Sequence, residues 1–189
     1  YRQFIDSRYS VRQILVEHHH FNDPVKREHI RKLLLRCKEQ NAIPIINYND
    51  AVSESENRRL ELAELARSQQ EVHECIDNDE TASLVACLVR ARTLLILTSV
   101  NGIYTDPKDP STLIREITGK DAYELVENIE NYKKYCEGAS RKGANGAKAK
   151  LEYIKQAAAQ GTTVYIANAK YPIRSILSGE AECTIVQIR

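Results

Sequence analysis

The order of apolar and polar positions divides the chain into short dry runs separated by amphipathic stretches. Val11-Arg12-Gln13-Ile14-Leu15-Val16 reads as a buried strand running into the polar His18, His19 and His20. Asp23-Pro24 predicts a helix start, because Asp accepts hydrogen bonds from free helix N–H groups and Pro suits the first helical position. Val25, Ile30, Leu33, Leu34 and Cys37 give that helix its inward stripe, with Arg and Lys opposite, and Asn41 ends it. Ala42-Ile43-Pro44-Ile45-Ile46 lacks alternation, as does a strand covered on both faces. A charged, helix-favouring segment runs from Ser53 to Gln70. A helix from about Glu80 to Arg90 then leads into Leu94-Leu95-Ile96-Leu97-Thr98, the clearest buried strand. Asn101-Gly102 predicts a turn and Asp106 to Pro110 a loop. Helices around Asp121 to Tyr135 and Lys148 to Gln160 follow, then strands Thr163 to Ala167 and Thr184 to Ile188. Apolar strands alternating with helices predict an α/β layered sandwich with a largely parallel sheet, without repeats or a domain linker.

Composition narrows the class of protein. With 189 residues, 42% of them hydrophobic and 28% charged, the chain can bury a core and is not disordered by composition. Lys plus Arg is 27 against 26 for Asp plus Glu, a balance that argues against gripping nucleic acid or anionic lipid by charge alone. No apolar run approaches the ~18 residues of a membrane helix. Cys37, Cys75, Cys87, Cys136 and Cys183 are scattered without a CxxC pair. They read as reduced thiols filling a core, which predicts a cytoplasmic protein. The chain opens at Tyr1 and holds no Met. Either an N-terminal stretch precedes it or methionines are missing from within it, which would shift spacings.

Ligands of such sheets bind beyond the carboxyl ends of the strands. That rule selects Asn47, Tyr48, Asn49 and Asp50 after Ile46, Ser99, Asn101 and Gly102 after Thr98, and Asn168 and Lys170 after Ile166. Taken singly, each such polar cluster can also be a simple turn. Asp77-Asn78-Asp79 precedes a helix, and capping explains one of the three; paired carboxylates also hold Mg²⁺ or position cationic groups. Gly138 to Lys150 is a small-residue loop opening a helix, which offers N–H groups to a phosphate. Ala144-Asn145 stand where a Walker A loop needs Lys-Ser/Thr, and a flexible connection with solvated lysines is the alternative reading. Lys148 or Lys150 would reach a transferring phosphoryl group. Neighbouring strand residues point to opposite faces, so His18, His19 and His20 are expected to be a polar strand end and no metal site.

Together these stretches resemble the amino acid kinase family from about Gln13 onward, most closely its branch that phosphorylates glutamate. Ile43 to Val52 (IPIINYNDAV) matches that branch's IPIINENDAV, with Tyr48 in place of Glu. Asp77-Asn78-Asp79 matches its GDND, with Ile76 in place of Gly. Leu94 to Thr105 (LLILTSVNGIYT) resembles LLLLTDVDGLYT, with Ser99 and Asn101 where Asp is usual. Gly143 to Lys150 (GANGAKAK) is similar to GTGGMxTK.

The resemblance implies a three-layer α/β/α sandwich with a mainly parallel sheet, and transfer of a phosphoryl group from ATP, with Mg²⁺, to the side-chain carboxylate of glutamate, a step toward proline. Asn47, Asp50 and Asn78 would bind the amino acid, and Asp79 would organise the catalytic lysines. Thr98 and Ser99 would line the nucleotide pocket together with Gly143, Asn145, Gly146 and Lys148. Lys150 would stabilise charge on the phosphoryl group. Expected partners are a small amino acid and ATP, with no nucleic acid and no membrane, in a homo-oligomer. Residues 1–189 are expected to form one kinase-like domain lacking the family's N-terminal strand, its KxGS element and a further glycine loop. The alternatives are another acceptor within the family, or a non-catalytic module that binds an amino acid or nucleotide.

Overall fold

A computed structural model describes residues 1, 3–49, 78–106, 108–136 and 146–189. The expected helix from Ser53 to Gln70 lies outside the described residues. The chain separates into two compact units, Tyr1–Thr81 and Ala82–Arg189.

In the first unit β1 (Ser10–Val16) runs into α1 (His18–Asn22), α2 (Pro24–Glu39) and β2 (Ala42–Tyr48). The strands pair in parallel, with Ile14 opposite Ile46 and Leu15 opposite Asn47. Such pairing needs a crossover, and α2 supplies it. The carboxylate of Asp23 caps α2, accepting from the N–H groups of Val25 (2.8 Å) and Lys26 (3.1 Å), with Pro24 at the first helical position. Those two bonds hold the Asp23 carboxyl below the usual carboxylate range, the Lys26 N–H contributing most. After the helix Asn41 adopts φ 48°, a left-handed conformation that Asn tolerates and that turns the chain into β2. The expected stripe of α2 is narrower than its sequence suggests. Leu34 and Cys37 are buried, Ile30 is half-buried, and Val25 and Leu33 are exposed. Ile43 to Ile46 of β2 are half-buried rather than fully covered.

The second unit holds most of α3 (Asn78–Val89), then β3 (Thr93–Thr98), a β4–β5 ribbon (Ile103–Tyr104 and Leu113–Ile114) and β6 (Glu116–Gly119). Next come α4 (Ala122–Lys133), α5 (Ala147–Ala159), β7 (Thr163–Asn168), α6 (Ile173–Leu177) and β8 (Cys183–Ile188). The four-stranded sheet has the order β3-β7-β8-β6. Pairing is parallel for β3 with β7 and for β6 with β8, and antiparallel for β7 with β8. Leu125 and Ile129 of α4, Leu151 and Ile154 of α5, and Val164, Ile166 and Val186 of the sheet are all fully buried. They belong to one core. Gly119 ends β6 against the start of α4, where a Cβ would collide with the backbone of Leu125, so the sheet and helix meet backbone to backbone.

The short strands β4, β5 and β6 and the helix α6 were not legible as periodic segments. Two to five residues are too few to establish a period. Among the described residues no helix is long and apolar enough to cross a membrane. Cys37, Cys87, Cys136 and Cys183 are free thiols, three of them buried.

Candidate active site

Residues expected at the amino-acid side fall in the first unit. Asn47 is exposed at the carboxyl end of β2. Just beyond the strand, the Asn49 N–H donates to the Val16 carbonyl (3.0 Å), and the Asn49 amide donates to Glu17 Oε1 (2.7 Å). The turn after β2 is thereby tied to the turn after β1. Asn78 and Asp79 open α3, Asn78 exposed and Asp79 half-buried, followed by the buried Glu80. Carboxylates in a first helical turn lie at the positive end of the helix dipole. Asp50 and Asp77 lie outside the described residues.

The histidine run departs from the strand that its sequence suggests. β1 stops at Val16 and His18–Asn22 is helical, so strand alternation does not separate the side chains of His19 and His20. Glu17, His19 and His20 instead come together. The Glu17 N–H donates to His20 Nδ1 (3.0 Å), and His19 Nδ1 lies 3.5 Å from Glu17 Oε2. The two imidazoles meet edge to face at 4.3 Å. Burial, with the neighbouring His19 adding to it, lowers the His20 pKa below the ordinary imidazole value.

Residues expected at the nucleotide fall in the second unit. Thr98 ends β3 opposite Asn168 at the end of β7, and the Thr98 carbonyl accepts from the Ala169 N–H (2.8 Å). The Asn168 amide donates to the Ser99 carbonyl (3.0 Å) and to Asn101 Oδ1 (3.3 Å), while its own Oδ1 accepts from the Lys170 N–H (3.0 Å). Asn101 in turn donates to Glu182 Oε2 (3.0 Å), whose other oxygen accepts from Arg115 (2.9 Å). Thr98 is half-buried and Ser99 exposed. Behind this loop the buried Thr184 hydroxyl accepts from the Ile103 N–H (2.8 Å) and donates to the Ile114 carbonyl (2.6 Å). A Cβ on Gly102 would collide with Thr184, so only glycine lets the loop lie this close. Asn101 therefore fits where an Asp would set a second carboxylate against Glu182.

Gly146, Lys148 and Lys150 gather at the start of α5. Gly146 is its N-cap and offers no side chain of its own to cap the helix. Lys148 is exposed and Lys150 half-buried. α5 connects to β7 through residues 160–162 only and shares its core, so the two run in opposite directions. The start of α5 therefore lies toward the sheet edge at which β7, and β3 parallel to it, end. Gly143 and Asn145 lie outside the described residues. Further along α5, Glu152 and Lys155 lock onto Glu130 and Lys133 of α4. Lys133 pairs with Glu130 (2.9 Å) and with Glu152, and Lys155 with Glu130 (2.6 Å) and Glu152 (2.5 Å). Hydrogen bonds from Lys155 and Lys133 hold the Glu130 pKa below the carboxylate range. Burial pushes the Glu152 pKa up, but its two lysine partners outweigh it and leave the value lowered. Burial likewise opposes the charge on Lys133, whose glutamate partners nonetheless raise its pKa.

Sequence reasoning singled out Asn101 and Asn168 but missed Glu182, Arg115 and the α4–α5 ion-pair square. The i, i+3 spacing of Glu130 with Lys133 and of Glu152 with Lys155 was the available signal for the square. Glu182 carries no local signal.

The groups at this edge, the backbone N–H groups of a helix start, Lys148 and Lys150, and the amides and hydroxyls of Asn101, Asn168, Thr98 and Ser99, are of the kind that suits an anionic polyoxygen ligand. The sequence profile of the amino acid kinase family matches residues 2–168. The chain belongs to the amino acid kinase family. Within it, the chain is 34% identical over 157 residues to a glutamate 5-kinase of Dehalococcoides mccartyi, covering 82% of this chain and 37% of that protein. It is 31% identical over 173 residues to the glutamate 5-kinase of Bacteroides thetaiotaomicron, covering 90% of this chain and 41% of that protein. The chain thus spans about two fifths of the length of these relatives. A solved structure of carbamate kinase from Giardia lamblia bound to AMP-PNP superimposes with a TM-score of 0.51 at 20% identity, over 87% of this chain and 45% of that one. That likeness establishes the amino acid kinase fold, the layered α/β architecture with a mainly parallel sheet.

Proposed function

We propose that this chain takes part in ATP-dependent phosphorylation of the glutamate side-chain carboxylate, giving γ-glutamyl phosphate and ADP. The observation that carries the reading is the family membership, together with an edge of β3 and α5 whose donors suit phosphate oxygens. Asn47, Asp50 and Asn78 hold the amino acid, Asp50 by pairing with its ammonium group. Thr98, Ser99, Gly143, Asn145, Gly146 and Lys148 hold the nucleotide.

Transfer from ATP needs alignment and charge stabilisation more than covalent help from the protein. The acceptor carboxylate is already ionised, so its oxygen attacks the γ-phosphorus while the bond to the bridging oxygen breaks, and no strong general base is required. Lys150 faces charge building on the transferring group, and Asp79 is a positioning residue for the lysines. Mg²⁺ supplies charge neutralisation of the phosphates. The described residues fit it as an ion carried mainly by phosphate oxygens, because Ser99 and Asn101 are neutral and Glu182 is already engaged. That same neutrality favours a second reading, in which the chain binds a nucleotide or amino acid without transfer. We further propose that residues 1–189 act as one kinase-like domain within a homo-oligomer in the cytoplasm.

Hydroxylamine trapping separates the readings. The full-length protein with ATP, Mg²⁺ and a panel of amino acids should form hydroxamate with glutamate. Nucleotide binding without hydroxamate from any acceptor would establish the second reading. Hydroxamate with a different carboxylate would move the assignment to another acceptor.

A further inference from the structure

The histidine turn is outside the proposed phosphoryl-transfer groups, and no residue role above uses it. We propose that Glu17, His19 and His20 form a binding site for a divalent late first-row transition cation, zinc being the best match. One carboxylate oxygen and one nitrogen from each imidazole lie within 4.8 Å of one another, on side chains that are all half-buried. Zinc with bonds near 2.0–2.2 Å sets its ligands about 3.4 Å apart, so closing the cluster needs movements of about 1.4 Å, within the reach of side-chain torsions. Two imidazoles and one carboxylate are a donor set for zinc and its neighbours rather than for Mg²⁺, which takes oxygen ligands. Three protein donors also leave a fourth position for water.

Two further contacts support the cluster as a site. Asn49, arriving from β2, donates to Glu17 Oε1 at 2.7 Å and leaves Oε2 turned toward His19. An outer partner that orients a carboxylate in this way is a regular accompaniment of metal ligands. The neutral His20 ring has one lone pair, and it is spent at Nδ1 on the Glu17 N–H. A cation that takes this lone pair displaces that single hydrogen bond and frees the Glu17 amide at the start of α1. Metal capture thus has a local signature, independent of any catalytic activity.

The test is a titration of the full chain with Zn²⁺, and with Co²⁺ as a paramagnetic probe, read by calorimetry and by amide resonances. One equivalent of Zn²⁺ should bind with the Glu17 amide shifted, and Co²⁺ should broaden resonances around residues 17–20 first. Excess Mg²⁺ should not compete. Asn49→Ala should weaken Zn²⁺ about 10-fold, within the range for loss of an orienting partner, and His19→Gln, which removes a ligand, should weaken it further. The five cysteines are untouched in both variants, so affinity unchanged by His19→Gln would assign the ion to thiols and overturn the proposal. Broadening centred away from residues 17–20 in the unaltered chain would overturn it without reliance on any variant.

Discussion

The two units of this chain are built to different tightness. In the second, seven large side chains from two helices and a four-stranded sheet are wholly removed from water, and an ion-pair square fastens α4 to α5. In the first, the described sheet has two strands; Val16 and Cys37 are buried to 1% exposure, Ile14 and Leu34 keep 8%, and Leu15, Val25, Leu33 and Leu35 face outward. Two strands are too few for a sheet to stand alone in water.

Core truncation tests that contrast most directly. Leu151→Ala removes a fully buried side chain and should cost about 3–5 kcal/mol, whereas Leu34→Ala should cost about 2 kcal/mol, both read from urea unfolding. Equal costs would show that the first unit packs as tightly as the second. On the chemical side, Lys150→Ala should lower kcat by about 10²–10³-fold while leaving the amino-acid KM near its original value. Unchanged turnover would remove Lys150 from the transfer step.

Thr184→Val keeps the shape of a fully buried residue but deletes its hydroxyl. The Ile103 N–H loses its acceptor and the Ile114 carbonyl loses its donor, so a loss of about 1–3 kcal/mol is expected, with nucleotide affinity weakened through the loop 99–102. The smallest effect is that of pH on the α4–α5 square. Glu130 and Glu152 titrate below their unfolded values, so their contribution is full above the unfolded carboxylate pKa and is lost as pH falls through the lowered one. Lys133 is raised, so its contribution is full below the unfolded lysine pKa and lost as pH rises through the folded one. Thermal unfolding should thus show a neutral plateau with a decline on the acid side, and Glu130→Gln should flatten that decline. An acid limb identical in the variant would exclude the square as its source.

Long periodic segments were legible in the sequence. The Asp23-Pro24 start of α2, the helices α3, α4 and α5, and the dry strands β3, β7 and β8 all follow from capping chemistry and apolar spacing. The candidate site was legible where residues sit at strand ends, as with Thr98, Ser99, Asn101 and Asn168. The Glu182–Asn101 contact joins residues 81 positions apart, and no local pattern encodes such a pairing. The histidine turn was misread for a different reason. Alternation was carried past Val16, where β1 ends, onto the histidine run, and a strand and a helical turn send successive side chains in different directions. The narrow stripe of α2 was overestimated because periodicity marks a helix face without saying how much of it a neighbour covers.

The position of β8 in its sheet bears on how the chain is made. Cys183–Ile188 comes last among the strands yet lies between β7 and β6, bonded to both. Among the described strands β6 has no other hydrogen-bonding neighbour in this sheet, so it must await those six residues emerging from the ribosome. At usual synthesis rates of about 5–20 residues per second, β6 waits several seconds for this partner while about seventy further residues are added. Closure of the sheet is thus timed by translation, and an interruption upstream of Cys183 leaves a nascent chain with an open strand edge for chaperones to shield.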